Sequence, residues 1–113
     1  MRRLRAAGVG LALLWSAGAL AHAHLTDSAP VDGSQLLAGP AALVLSFSEA
    51  VQFTALSIQR NGGTPQKLVP PEQAAARLSV PLPKLAAGAY VVRWRTLGSD
   101  GHVVPGQIRF SIK

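Results

Sequence analysis

Hydrophobic residues occupy every second position in several stretches of the chain, which is the pattern of β-strands that bury one face. The first two stretches, 43–48 and 53–60, are predicted to be separate strands, and no segment predicts a long helix. The stretch 78–82 alternates as well, and Pro81 indicates an edge strand or a strand end there. The positions predicted to face the core are Leu43, Leu45, Phe47, Leu56, Ile58, Tyr90, Val92, Trp94, Ile108, Phe110 and Ile112.

Turn signals separate these stretches. Asn61-Gly62-Gly63 predicts a turn after the second strand, and Asp32-Gly33 marks an earlier one. Residues 85–90 match the tyrosine-corner pattern of Greek-key sandwiches, in which the hydroxyl of Tyr90 bonds back to upstream backbone. Residues 73–77 are long enough for one helical turn only. Short strands and frequent turns therefore predict an all-β chain, with an immunoglobulin-like Greek-key β-sandwich or barrel.

The first 21 residues have the three parts of a secretory signal. Three arginines among the first five residues form the charged region, residues 6–20 are apolar, and Ala19-Leu20-Ala21 is a small-residue cleavage site. The apolar part is shorter than the roughly 20 residues that a membrane span needs, so cleavage is favoured over an uncleaved anchor. We predict a signal peptide at 1–21, a mature domain at 22–113, and export from the cytoplasm.

Cleavage after Ala21 makes His22 the first residue of the mature chain. An N-terminal histidine offers its amine and a ring nitrogen to one metal ion, an arrangement called a histidine brace when a second histidine completes it. Two alternatives remain open. Cleavage after Ala23 exposes His24 instead, and His22-Ala23-His24 can also enclose Cu(II) or Ni(II) with the amine, two deprotonated backbone amides and the third-residue imidazole.

A carboxylate and an imidazole lie two residues apart near the C-terminus, between two predicted strands. In extended backbone Asp100 and His102 point to the same side, which makes the pair a candidate metal-binding edge. The alternative is a simple turn with a solvated histidine, because an Asp-Gly step between strands is a common turn signal.

Composition restricts both the metal and the partners. The chain has no Cys and its single Met is Met1, so the mature domain has no disulfide, no zinc-thiolate site and no sulfur ligand for Cu(I). Nitrogen and oxygen donors suit Cu(II) or Ni(II), with Cu(II) binding more tightly and Zn(II) as the runner-up. Removing the signal lowers the formal net charge from +6 to +3, and the remaining basic residues are spread along the chain, so no nucleic-acid partner is predicted.

The chain resembles the CopC family of periplasmic copper-binding proteins. The motifs that carry the resemblance occur in order across the predicted mature domain, which makes the set more specific than any one of them. They are His22-Ala23-His24-Leu25, the Ser28-Ala29-Pro30 to Asp32-Gly33 turn, Leu45-Ser46-Phe47-Ser48-Glu49, Gly88-Ala89-Tyr90 with Trp94-Arg95, and Ser99-Asp100-Gly101-His102 with Gly106 and Phe110.

The resemblance implies a small Greek-key barrel or sandwich in the periplasm that binds Cu(II) through the amine and ring of His22, with Asp100 and His102. It implies that Glu49 lies near this site, as a weak ligand or as an acceptor behind the ligands. Some family members also have a Met-rich Cu(I) site, which this chain is expected to lack. The implied partners are the copper ion and an inner-membrane copper transporter of the CopD type, and a monomer is expected.

The predicted function is capture or buffering of copper, for copper resistance or homeostasis, by a protein that is not an enzyme. A small histidine-brace copper oxidoreductase is one alternative, because such braces also occur in copper oxygenases that cleave polysaccharides. A carboxylate in the copper plane and the small size of the domain argue against it. A metal-independent β-sandwich that only binds partners is the other alternative.

Overall fold

The computed structural model describes residues 23–113, and the regular structure in this part of the chain is β-strand. The strands are β1 (Leu25–Ala29), β2 (Ser34–Leu36), β3 (Ala42–Arg60), β4 (Gln66–Lys67), β5 (Ala75–Pro81), β6 (Gly88–Leu97) and β7 (Val103–Ile112). Residues 23–113 contain no helix that is long and apolar enough to cross a membrane. The predicted signal peptide and His22 lie outside the described residues.

The long strand β3 belongs to both layers of the fold. Its first half pairs antiparallel with β1 and β5, and its second half pairs antiparallel with β4 and β6. The pairing shifts register between Ser46 and Val51 and between Phe53 and Ala55. Such irregularities bend a strand and let it pass from one layer to the other. The prediction of two separate strands is therefore wrong, because the chain changes layer without leaving the β-ladder.

The second layer continues from β3 through β6 to β7, and β2 closes its edge by pairing in parallel with β7. The strand order is β1-β3-β6-β7-β2, with β4 and β5 also paired to β3. This all-β architecture confirms the predicted fold class. The hairpin of β6 and β7 matters most for function, because its connecting loop contains two of the predicted metal ligands.

The core lies between the layers and follows the predicted alternation. Every position predicted to be buried is at most 8% exposed, whereas the intervening Arg93 and Arg95 are exposed. Full burial of an aliphatic or aromatic side chain of this kind contributes about 1.5–3 kcal/mol. The sixteen side chains of the core cluster are therefore the main source of the fold's stability.

The tyrosine corner is present as predicted. The hydroxyl of Tyr90 donates a hydrogen bond of 2.6 Å to the carbonyl oxygen of Ala86. The ring of Tyr90 stacks on Phe110 with a centroid separation of 5.3 Å. These two contacts of Tyr90 hold the start of β6 in place, at the end of the sheet opposite to the β6–β7 loop.

Two other local predictions have different outcomes. The turn at Asn61-Gly62 is confirmed, with φ angles of +50° and +71° at the two residues. The prediction of a helical turn at 73–77 is wrong, because residues 75–77 belong to β5 and Arg77 is paired with Ser46 of β3. Pairing with β3 outweighs the weak helical preference of a short alanine-rich segment.

Candidate metal centre

The loop of residues 98–102 joins β6 to β7 and contains Asp100 and His102. The backbone N–H of Gly98 donates to the carbonyl of His102 at 3.1 Å, and Gly101 has a φ of +83°, which favours glycine. Asp100 Oδ1 accepts a 3.0 Å hydrogen bond from the backbone N–H of His102, and Asp100 Oδ2 lies 3.2 Å from His102 Nδ1. The two side chains lie together as predicted. A turn brings them together, whereas the prediction assumed extended backbone.

The imidazole is the more accessible of the two groups. The side chain of His102 is 71% exposed and that of Asp100 is 20% exposed. A carboxylate that accepts a hydrogen bond from one ring nitrogen is a common means of orienting a metal-binding histidine. When His102 Nδ1 carries the proton, Nε2 has the lone pair that a metal ion needs. Nε2 is then the ring nitrogen of His102 that suits a metal ion.

Strand β3 contacts the same loop through Glu49. The hydroxyl of Ser99 donates a 3.0 Å hydrogen bond to Glu49 Oε1. Since Ser99 precedes Asp100 in the chain, this bond connects β3 to the part of the loop that holds the carboxylate. Glu49 is thus close to the loop, as the resemblance implies, and its role toward a metal stays a prediction.

The start of the described chain reaches the same part of β3. The backbone N–H of His24 donates to Ser48 Oγ at 3.0 Å, and the backbone N–H of Ser48 donates to the carbonyl of His24 at 2.8 Å. Ala23 packs against the core cluster. Because Ser48 and Glu49 are neighbours, the N-terminal segment, β3 and the 98–102 loop meet at one end of the sandwich.

These contacts bear on the alternative chelate built from His22-Ala23-His24. That chelate requires the deprotonated backbone nitrogen of His24, and this nitrogen already donates its proton to Ser48. A metal bound in this way would have to break the hydrogen bond and detach the segment from β3. The described backbone therefore favours a site that uses side chains of the loop.

The described residues supply part of a donor set. Within residues 23–113, no three Asp, Glu, His or Cys side chains form a group that could hold a metal ion. Asp100 and His102 provide an oxygen and a nitrogen, donors that suit Cu(II), but a tetragonal site needs more. The remaining predicted ligand, His22, lies outside the described residues, so the set of His22, Asp100 and His102 stays a prediction.

Ser48 and Ser99 are the residues of this region whose contribution the motifs did not reveal. Each immediately precedes an acidic residue, in Ser48-Glu49 and in Ser99-Asp100. This repeated pair of a serine and an acidic residue is the sequence signal that could have pointed to Ser48 and Ser99. It does not reveal that one serine binds the N-terminal segment and the other binds across to β3.

The model of the protein family described as "CopC domain" matches residues 25–113. The chain belongs to the CopC family. It is similar to Protein YobA of Escherichia coli K12, with 38% identity over 99 residues that cover 82% of this chain and 80% of the relative. It is also similar to Copper resistance protein C of Xanthomonas campestris pv. juglandis, with 34% identity over 116 residues that cover 90% and 88% of the two chains.

Solved structures agree with this CopC-family assignment. The crystal structure of CopC from Methylosinus trichosporium OB3b superposes with a TM-score of 0.72 at 32% identity, covering 81% of this chain and 94% of that one. The predicted family and fold are thereby confirmed. Because its relatives include proteins named for copper resistance, copper binding in copper resistance is the role of the family to which this chain belongs.

One relative is much longer than this CopC-family chain. Copper transport protein CutJ of Bacillus subtilis is 31% identical over 101 residues, which are 81% of this chain but 18% of that protein. In CutJ a segment similar to this domain is therefore part of a larger chain that is named for copper transport.

Proposed function

We propose that the chain binds Cu(II) in the periplasm through the amine and ring of His22 together with Asp100 and His102. It acts as a copper carrier in resistance or homeostasis, and not as an enzyme. The observation that supports this proposal is the meeting of three segments at one end of the sandwich. The N-terminal segment bonds to Ser48, and the 98–102 loop bonds to Glu49, the next residue of β3.

The contacts of Ala23 and His24 support the proposal that His22 is a ligand. A single peptide bond joins it to Ala23, and consecutive Cα atoms are about 3.8 Å apart. Ala23 packs on the core and His24 is bonded to Ser48, so the segment has little freedom to leave β3. We therefore propose that a mature chain that begins at His22 can bring its amine and imidazole to the loop that contains Asp100 and His102.

The donor chemistry favours Cu(II). Two imidazoles, an amine and a carboxylate form a set of nitrogen and oxygen ligands that suits tetragonal coordination, and Cu(II) binds such a set more tightly than Ni(II) or Zn(II). The chain has no Cys, and its single Met lies in the predicted signal peptide. Soft sulfur ligands that would favour Cu(I) are therefore missing from the mature domain.

The structure suggests a second role for Asp100 beside that of a ligand. Both of its oxygens face His102, one at the backbone nitrogen and one at Nδ1. Asp100→Asn keeps an oxygen that can accept the backbone hydrogen bond but removes the negative charge. If Asp100 is a ligand, we expect this variant to lose at least about tenfold in Cu(II) affinity and to change the electron paramagnetic resonance spectrum. An unchanged spectrum would make Asp100 a positioning residue for His102.

Delivery of copper is the further step that we propose. The longer relative named as a copper transport protein contains a segment similar to this domain within one chain. For this chain, the receiver of the ion that we propose is an inner-membrane copper transporter of the CopD type.

The test is the intact mass of the exported protein, followed by Cu(II) titration of the same sample with electron paramagnetic resonance. We expect a mature chain that begins at His22, one bound Cu(II), and a nitrogen-rich tetragonal signal that is lost in His102→Ala. His24→Ala is the matched control, because it removes an exposed imidazole while its backbone still bonds to Ser48. A retained signal peptide, or copper binding that is the same in His102→Ala, would contradict the proposal.

A further inference from the structure

The outer surface of the β6–β7 hairpin is basic. Arg93 and Arg95 of β6 and Arg109 of β7 are exposed, and they occupy the positions that alternate with buried core residues. Neither strand contains an acidic residue. The face therefore carries positive charge without a carboxylate from its own strands.

A groove of about 500 Å³ lies on this face, in the layer formed by β3, β6 and β7. The pairing explains its shape, because Arg95 stands between Ala55 and Pro105, and Arg93 stands between Ser57 and Gln107. The side chains that β3 contributes are small, so the surface is hollow beside the arginines. We call this surface the Arg93–Arg95 groove, and its lining includes Ala55, Ser57, Arg93, Arg95, Pro105 and Gln107.

One guanidinium group of the groove is already held in place. Arg93 Nη1 donates a 2.6 Å hydrogen bond to Gln59 Oε1 on β3. A guanidinium has five N–H donors, so this contact orients the group and leaves donors for another partner. Within residues 23–113, neither Arg93 nor Arg95 forms an ion pair with a carboxylate. The groove thus has an oriented cation whose charge no acidic side chain of the described chain neutralises.

We propose that the Arg93–Arg95 groove binds an acidic peptide segment of a protein partner, with a carboxylate held between the two guanidinium groups. Arginine binds carboxylates through paired, charge-assisted hydrogen bonds, and it is enriched at protein interfaces. The concave shape favours an inserted side chain over the flat surface of a membrane. Charge complementarity argues against a second copy of the same face, because arginines would meet arginines.

The groove is close to the end of the fold where copper is proposed to bind. Leu97 is the last residue of β6, and the 98–102 loop begins three residues after Arg95, about 10 Å further along the strand. Leu97 and Val103 pair at this end, and both are exposed. A partner that docks in the groove is thereby placed beside the loop, but binding of an acidic segment does not require copper.

The test is a titration of the ¹⁵N-labelled, copper-free mature domain with hexaglutamate peptide, capped at both ends, at low ionic strength. We expect saturable shifts of the backbone amide resonances of residues 93–95, Gly106 and Gln107, and none with hexaglutamine. The double variant Arg93→Gln/Arg95→Gln should weaken binding by about tenfold or more. The matched control is Arg77→Gln/Lys84→Gln, which removes two exposed positive charges elsewhere and should keep the wild-type affinity.

Two results would overturn the proposal. Equal loss of binding in both double variants, with dispersed amide spectra in each, would show a general charge effect and no groove. Binding to vesicles of phosphatidylcholine with phosphatidylglycerol, lost in Arg93→Gln/Arg95→Gln and without any peptide binding, would assign the face to a membrane surface instead. Because the sample is free of copper, either result is separate from failure of the proposed copper site.

Discussion

The hydroxyl of Ser99 donates a 3.0 Å hydrogen bond to Glu49 Oε1, and this contact joins residues that are 50 positions apart. Ser99 lies in the 98–102 loop beside Asp100, whereas Glu49 lies in the middle of β3. The position of the loop therefore depends on a strand that also binds the N-terminal segment. This relationship makes the geometry of the proposed copper ligands sensitive to residues that do not coordinate the ion.

Ser99→Ala removes the bond between the loop and β3 and should weaken Cu(II) binding. A hydrogen bond of this kind contributes about 1 kcal/mol, which corresponds to about fivefold in affinity. The measurement is competition with a chromophoric chelator of known affinity. Thr54→Ala is the control, because it removes a 3.4 Å hydrogen bond from the same strand to Arg95 and leaves the loop contact intact. Wild-type affinity in Ser99→Ala would show that the loop does not need this bond.

Ser48→Ala should release the N-terminal segment from β3. The hydroxyl of Ser48 accepts the backbone N–H of His24, so its loss should speed hydrogen exchange of the His24 amide and lower Cu(II) affinity by about fivefold. Exchange followed by nuclear magnetic resonance tests the first effect, and chelator competition tests the second. Thr26→Ala, which removes a 3.2 Å bond to Ser46 two residues further along, is the matched control. An unchanged exchange rate at His24 would contradict the prediction.

Much of this fold could be predicted because burial of one strand face produces a period of two. Leu43, Val92 and Ile108 show it clearly, since each is almost completely buried at an alternating position. The continuity of β3 could not be predicted in this way. Glu49 is a charged residue at an inward position of the alternation, and the two exposed residues Thr54 and Ala55 change its phase. Only the neighbouring strands show that the ladder continues across these irregularities.

The candidate site was predictable to a smaller extent. The motif of Asp100 and His102 identified the loop, and the resemblance directed attention to Glu49. Contacts that organise the region remained hidden, because Ser48 and Ser99 bind partners that are far away in sequence. Such contacts depend on how strands dock, and composition and spacing do not encode docking directly.

Gly106→Ala should destabilise the domain by overpacking its core. A Cβ at position 106 would lie 2.5 Å from Trp94 Nε1, on the strand directly paired with it. Trp94 is buried and makes an edge-to-face contact with Phe47 at a centroid distance of 6.3 Å, so the indole has little space to move. We expect a loss of about 1–3 kcal/mol in the free energy of unfolding.

Urea denaturation of the copper-free domain measures this loss, with Gln107→Ala as an exposed neighbouring control. The double variant Gly106→Ala/Trp94→Phe should show favourable coupling, because a smaller ring relieves the overlap. Additive losses in the double variant would mean that the indole is not the group that the added methyl contacts.

Tyr90→Phe separates stability from copper binding. The variant loses the hydrogen bond from the Tyr90 hydroxyl to Ala86 but keeps an aromatic ring against Phe110. The free energy of unfolding should fall by about 1 kcal/mol, which lowers the midpoint of thermal unfolding by about 4–8 °C in a domain of this size. Tyr90 lies seven residues before Leu97 on β6, so about 23 Å of strand separates it from the 98–102 loop. Cu(II) affinity should therefore equal that of the wild type.

Thermal unfolding must be measured without copper, because a bound ion stabilises the folded state by itself. A fall in copper affinity without a fall in stability would show that the two ends of β6 are coupled, and that the tyrosine corner is not simply a structural contact.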